Sequence, residues 1–447
     1  LKSRSPKLLI FLTIFIDLLG FGVIIPILSY IGEEYAAGPN KPILIGLMMS
    51  SFSLFQMIFA PFWGRLSDRV GRRPILLLSL FGSTVSYALF ALADSYAVLL
   101  VSRVFAGICG ANLTAAQAYI ADVTDADQRT AGMGLVGMAF GLGFVFGPVI
   151  GAGAATFAAS ALPEWNAQTA PGLVAASLCL INLLWAARAL PESLPPEKRG
   201  RGETPRRLAT LNQMTRYLRH PLVGPLAGVF FLATFAFSGF EVSLSVYLKK
   251  TPGLELETRG VYAVFIYVGL VLAFMHGYVV RRAVKFVPEA VLVGVGAALQ
   301  GIGLAIVPIA PNLFFVLTGL AVLGMGQGVC VPSLLALVSR AADPSEQGRV
   351  MGVTQSASSL ARILGPMFAM GLVRALNDPA AMAEDSPIAA DWRAPFFASG
   401  ALMFAAVWMA FVTRARLLRR PIPGLRVEDA PEKSAPEELI GEGGEAR

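Results

Sequence analysis

The sequence predicts an all-α membrane protein of twelve transmembrane helices in two pseudo-symmetric six-helix bundles. Three observations carry that expectation. Only 15% of the 447 residues are charged and 55% are hydrophobic, where a soluble domain carries roughly 25% charged residues. Apolar runs recur along the chain at the length a helix needs to cross a hydrocarbon core, roughly 20 residues. Short features also repeat between the two halves at one fixed offset.

The runs lie near residues 7–31, 43–63, 74–93, 95–120, 131–158, 172–190, 222–247, 260–280, 288–308, 312–338, 350–373 and 394–413. Mean hydropathy is +0.65, and most connections are too short to hold a soluble domain. The first run follows Lys2, Arg4 and Lys7, as a secretory leader would. It exceeds the usual apolar stretch of about 7–15 residues and lacks a small-residue cleavage site. It is therefore read as a retained first span, in a chain that does not begin with Met.

The net charge of +7 matters less than its placement. The connections after even-numbered spans carry Arg65, Arg69, Arg72, Arg73 and Arg129, then a cluster from Lys198 to Arg219, then Arg281, Arg282, Lys285, Arg340 and Arg349. The opposite connections hold mainly Lys41, Lys249, Lys250 and Arg259. The positive-inside bias then predicts a plasma membrane protein of the bacterial inner-membrane type with both termini cytoplasmic. An even number of spans agrees. Basic residues strung along one membrane face do not form the single stripe of a nucleic-acid binder. Cys109, Cys179 and Cys330 all fall in apolar runs, and His220 and His276 are the only histidines. No CxxC pair or disulfide framework arises, so no metal or cofactor is expected, and with no nucleophile–base pair or phosphate loop an enzyme is disfavoured.

The Pro-rich, basic stretch 191–221 divides the chain into bundles 1–190 and 222–414, followed by an acidic tail, 415–447, expected to be disordered and cytoplasmic. Met133-Gly134 and Met351-Gly352 stand 218 residues apart, as do Gly147-Pro148 and Gly365-Pro366, and Gly110 and Gly328. Such self-similarity argues for duplication, and two six-span halves suit a rocking carrier whose site lies between them at mid-depth.

The connection after span two reads Gly64-Arg65-Leu66-Ser67-Asp68-Arg69-Val70-Gly71-Arg72-Arg73-Pro74. A basic loop alone would explain the arginines but not an aspartate between two glycines at fixed distances. The run resembles the signature GxLaDrxGrrx of the major facilitator superfamily. Asp68 is expected to face a helix end where positive partial charge sits, and its arginine neighbours to pair with Asp122. The resemblance implies a breakable latch between the halves, built from Gly64, Asp68, Arg69, Gly71, Arg72 and Asp122, with Arg349 at the start of span eleven as a candidate partner.

Span five carries Gly134, Gly143, Gly147-Pro148 and Gly151, similar to the antiporter motif gX8GX3GPX2GG of that family's drug/proton antiporters, with Ala152 in place of the last glycine. Generic small-residue packing is the plain alternative. Span four holds Arg103, whose context resembles the family's embedded arginine, although Ala106 stands where Gln is usual. At about 100° per residue, Gly107, Gly110, Thr114 and Gln117 share the face of Arg103.

Ionisable groups at membrane depth are costly unless they face a cavity or a partner. Asp17 in span one and Arg103 reach similar depth, either as a fixed ion pair or as a proton-exchanging site. Glu241 in span seven, with Thr234 and Ser245 on its face, and Arg362 in span eleven, beside Gln355, supply a second acid and a second cation. Gln56 and His276 are further candidates for the pocket. The whole membrane portion is most similar to the twelve-span drug/proton antiporters, including tetracycline efflux proteins, as Ala118-Tyr119-Ile120-Ala121-Asp122-Val123-Thr124 and the Asp17 context indicate. Span nine departs from the latter, offering only Gln300 and the terminal Glu289. The resemblance implies export of a small amphipathic compound by a functional monomer in the lipid bilayer, driven by protons entering through Asp17 or Glu241. A uniporter or symporter for a metabolite or lipid, and a non-transporting scaffold or receptor, are the competing expectations.

Overall fold

A computed structural model describes residues 6–110, 112–124, 126–199, 219–341, 347–377 and 391–419. Residues 415–419, expected in the disordered tail, instead continue the last helix; the rest of the tail, from residue 420, and most of the linker lie outside the described residues. The first half comprises α1 (Pro6–Tyr35), α2 (Lys41–Val70), α3 (Arg72–Ala91), α4 (Tyr96–Cys109), α5 (Asn112–Asp122), α6 (Ala126–Ala161) and α7 (Thr169–Ala189). The second comprises α8 (Val223–Lys250), α9 (Thr258–Phe274), a π-helical turn Met275–Val279, α10 (Val280–Phe286), α11 (Glu289–Ile306), α12 (Leu313–Ala341), α13 (Gln347–Leu376) and α14 (Ala394–Arg419). Helix is what a chain must adopt where no water can meet its amides and carbonyls. Among the described residues eleven segments are long and apolar enough to cross a membrane, and the shorter apolar helix α4, continued by α5, lies where a further crossing is expected. Large apolar side chains such as Ile58, Phe81, Ile181, Phe404 and Trp408 are exposed on the outside, a surface suited to lipid rather than water.

Span four differs from the continuous helix expected over 95–120. It breaks after Cys109, where Gly110 leaves helical geometry (φ −68°, ψ 33°). The carbonyl released there is not orphaned: Gln56 on α2 donates Nε2–H to Gly110 O at 3.0 Å. A glycine beside a neighbouring side-chain donor makes the interruption affordable at depth.

Glycine contacts set the closest helix pairs, and they repeat between halves. In the first bundle α6 lies on α1 so closely that a methyl on Gly147 would sit 2.6 Å from the Gly22 Cα. In the second, a methyl on Gly365 of α13 would meet Phe235 O of α8 at 2.7 Å and Gly239 N at 3.2 Å. Gly147 and Gly365 are 218 residues apart, and Gly22 and Gly239 are 217 apart. The two bundles thus share a packing plan as well as a helix count.

One end of the molecule, the basic face, carries the arginine-rich connections. Five polar contacts that join the bundles lie in the half away from it. Tyr262 donates to Val23 O at 3.0 Å, Ser50 to Ile363 O at 2.6 Å, and Arg374 Nε to Asn40 Oδ1 at 3.3 Å. Tyr30 and Thr258 hydroxyls are 3.2 Å apart, and Lys250 Nζ lies 3.2 Å from Glu33 Oε2.

Candidate functional site

A cavity of about 390 Å³ lies between the bundles. The first bundle contributes Asp17, Phe21, Gln56, Tyr87, Arg103 and Phe144 among its lining, and the second contributes Phe230, Thr234, Glu241, Gln327 and Arg362. Four charged groups expected from sequence, two acids and two guanidiniums, thus face one space. Such a site sets two acids against two cations within one space walled by aromatic rings.

The charged groups are not held alike. Arg103 is 2% exposed. Its Nε donates to Ser102 Oγ at 3.3 Å and its Nη2 to Ser86 Oγ at 3.4 Å. Its guanidinium also stands 5.4 Å from the Phe90 ring centre and 5.9 Å from that of Tyr87. The Cys179 thiol is 3.9 Å from Asp17 Oδ1, as a weak donor, and both Cys179 and Tyr87 press against Gly20 of α1. Tyr87 and Cys179 therefore fill the space that joins the surroundings of Arg103 and Asp17. Across the cavity Glu241 and Arg362 are near enough to act on one another electrostatically.

Other expectations are corrected. Gln117 is not among the lining residues: the break after Cys109 ends the helical phase on which its alignment with Arg103 rested. Gln56 does line the cavity, but its amide is engaged with Gly110 O. Ser245 is buried in α8 away from the cavity, and its place on that face is taken by Ser238. His276 falls in the π-helical turn and Gln355 is exposed on α13, neither in the lining. Sequence reasoning missed Tyr87, Ser86, Ser238, Ser358 and Gln327. Gln327, an amide between two glycines inside an apolar run, was the one signal available.

At the basic face Arg72 holds two acids of its own bundle, Asp68 through Nη1 and Asp122 through Nε at 3.1 Å. Asp68 occupies the last turn of α2 rather than a positive helix end. That place belongs to Glu192, whose carboxylate accepts from Arg72 N at 2.8 Å and Arg73 N at 3.2 Å at the start of α3. Gly71 adopts φ +112°, and a methyl there would strike the same carboxylate, so glycine is required twice over. Nothing packs within 4 Å of a methyl on Gly64, and Arg69 is exposed. Ser193 donates to Asp122 Oδ2 at 2.9 Å and Tyr119 to Pro191 O at 3.1 Å, so the start of the linker joins this cluster. Arg349 lies in the first turn of α13, and its side chain is outside the described residues. The second bundle has the same bridge with its charges exchanged: Arg340 Nη1 to Glu289 Oε1 at 2.8 Å, with Arg340 218 residues beyond Asp122.

In α6, Gly143 and Gly147 meet Leu18 and Gly22 of α1, and a methyl on Gly151 would crowd Val23 O and the Tyr262 ring of the other bundle. Pro148 lies inside the helix, and Gly134 near its start. The small-residue run thus sits where the first bundle packs within itself and touches the second.

The Major Facilitator Superfamily family model matches residues 10–366 and 292–441. The bovine (Bos taurus) major facilitator superfamily domain-containing protein 10 is 33% identical over 416 residues, covering 80% of this chain and 85% of the relative. The class E tetracycline resistance protein of Escherichia coli is 32% identical over 375 residues, covering 79% and 84%. The crystal structure of the human organic anion transporter MFSD10 (TETRAN) superposes with a TM-score of 0.65 at 26% identity, covering 92% of this chain and all of that one. Two bundles around a charged central cavity, matched over both halves, establish that the chain belongs to the major facilitator superfamily and is a multi-pass membrane transporter of a small molecule.

Proposed function

We propose that the chain is a secondary carrier for a small amphipathic organic anion, moved by alternating access and coupled to protons through Asp17 and Glu241. The observation that carries this reading is the cavity itself, in which each bundle supplies one arginine and one acid amid phenylalanines. Guanidinium groups favour carboxylate-like partners, and the rings suit an apolar body. The likeness to an organic anion transporter supports the same substrate class. With the basic face cytoplasmic, the contacts between bundles close the outer half, which corresponds to the inward-facing state.

A second reading is drug/proton antiport of the tetracycline-efflux kind, favoured by the spacing of Gly143, Gly147, Pro148 and Gly151 and by the resistance protein relative. Proteoliposomes holding a pH-sensitive dye separate the two. An aromatic carboxylate added outside is expected to acidify the lumen as it enters with a proton, and Glu241→Gln to abolish that signal. Alkalinisation of the lumen by an added cationic drug, with no response to the carboxylate, would favour the second reading.

A further inference from the structure

Two arginines line the cavity, and they are placed for different work. We propose that the anionic end of the substrate is taken by the C-terminal wall, at Arg362 with Ser238, and that Arg103 is a positioning residue built into the N-terminal wall. The inference rests on the reading of the cavity as an organic-anion site and assigns its polarity.

Arg103 is already supplied with partners. The hydroxyl of Ser86 donates its proton to Ser102 O at 2.9 Å, and that of Ser102 to Leu99 O at 2.6 Å. Both oxygens are thereby left as acceptors, and both accept from Arg103. Aromatic faces of Phe90 and Tyr87 complete the enclosure. A cation so provided for gains little from an arriving carboxylate and would have to give up its own bonds to reach it.

The opposite wall is incomplete. Among the described residues Arg362 makes no hydrogen bond and no ion pair within 4 Å, and Glu241 acts on it only from beyond that distance, although both line the cavity. Ser238 Oγ, also on that wall, is buried without a hydrogen-bond partner. Ser358, one turn before Arg362 on α13, faces the same space. Unsatisfied polar groups in a low-dielectric interior are costly, and a bound carboxylate is the partner that a planar guanidinium fork and a hydroxyl suit best. Across the cavity the Phe21 ring lies tilted against that of Phe52 and edge-on to that of Phe144, with ring centres 5.9 Å and 6.5 Å away, an aromatic wall for the apolar end. The substrate class that fits is a flat apolar compound with one carboxylate, its charged end toward α8 and α13 and its ring toward α1, α2 and α6.

The test is binding of 2-naphthoate and its neutral isostere 2-naphthamide to the purified full chain. Wild type is expected to prefer the carboxylate by about tenfold, the scale of a hydrogen bond to a charged group. Arg362→Gln should bring that ratio near one with little change for the amide, and Arg362→Lys should restore part of it. Arg103→Lys should weaken both probes alike and leave the ratio. A ratio that survives Arg362→Gln, or that falls as far in Arg103→Lys, overturns the assignment. If Arg362→Gln does not fold, Ser238→Ala reads the same wall, and a ratio it leaves untouched also overturns it. A wild type with no preference refutes the organic-anion reading instead, which is a different result.

Discussion

Lys250 at the end of α8 reaches Glu33 of α1 at 3.2 Å, while Lys41 of α2 holds the other oxygen of the same carboxylate at 2.8 Å. Only the first of these contacts joins the two bundles. Opening the half away from the basic face must break Lys250–Glu33, whereas Lys41–Glu33 can travel with the first bundle. The lysine is half exposed, so the pair contributes at most about 1 kcal/mol. Lys250→Met is therefore expected to raise the outward-open population up to about fivefold. The alkylation rate of a cysteine introduced as Ser50→Cys, buried in the closed form beside Ile363, would report it, and an unchanged rate would remove Lys250 from the gate.

The backbone contact of Gly147 with Gly22 leaves no room for a methyl group. Gly147→Ala and Gly365→Ala should each lower stability by about 1–3 kcal/mol, the range for overpacking. Gly153→Ala, with nothing within 4 Å of its added carbon, serves as control. Thermal unfolding of the detergent-purified protein would check this. Equal midpoints for Gly147→Ala and Gly153→Ala would contradict the contact.

Arg72 with Asp122, and Glu289 with Arg340, are the same bridge with its signs exchanged. If these bridges tension the basic face during rocking, Asp122→Asn and Glu289→Gln should each slow turnover several-fold, as the loss of about 1 kcal/mol would, with substrate affinity kept. Counterflow measurements of maximal rate and KM separate the two quantities. A change confined to KM would assign these pairs elsewhere.

Glu192 meets the first amides of α3, where positive partial charge gathers. Glu192→Gln is expected to cost about 1 kcal/mol. Gly71→Ala should cost more, because it also forces a side chain into the left-handed region. Unfolding midpoints would order the variants, and a reversed order would disprove the cap.

The twelve crossings were legible because membrane helices write themselves into the sequence as uninterrupted apolar runs. The cavity was legible in part for the opposite reason: Asp17, Arg103, Glu241 and Arg362 stand out against those runs. What escaped was whatever depended on neighbours. Gln117 was misplaced because one glycine with a glutamine beside it broke a helix that composition alone would continue. Glu192 and the Glu33–Lys250 pair lie in charged ends, where any residue type is ordinary and only packing gives it a partner. The phenylalanines of the cavity are chemically identical to those facing lipid, so no pattern distinguishes them.

Pinned by Glu192, Ser193 and the Pro191 carbonyl, the first residues after the sixth span are fastened to the floor of their own half. They ride with it as ballast. Trimming the side chains of Glu192 or Ser193 would unmoor that anchor and leave the first residues of the linker free of the half that now carries them.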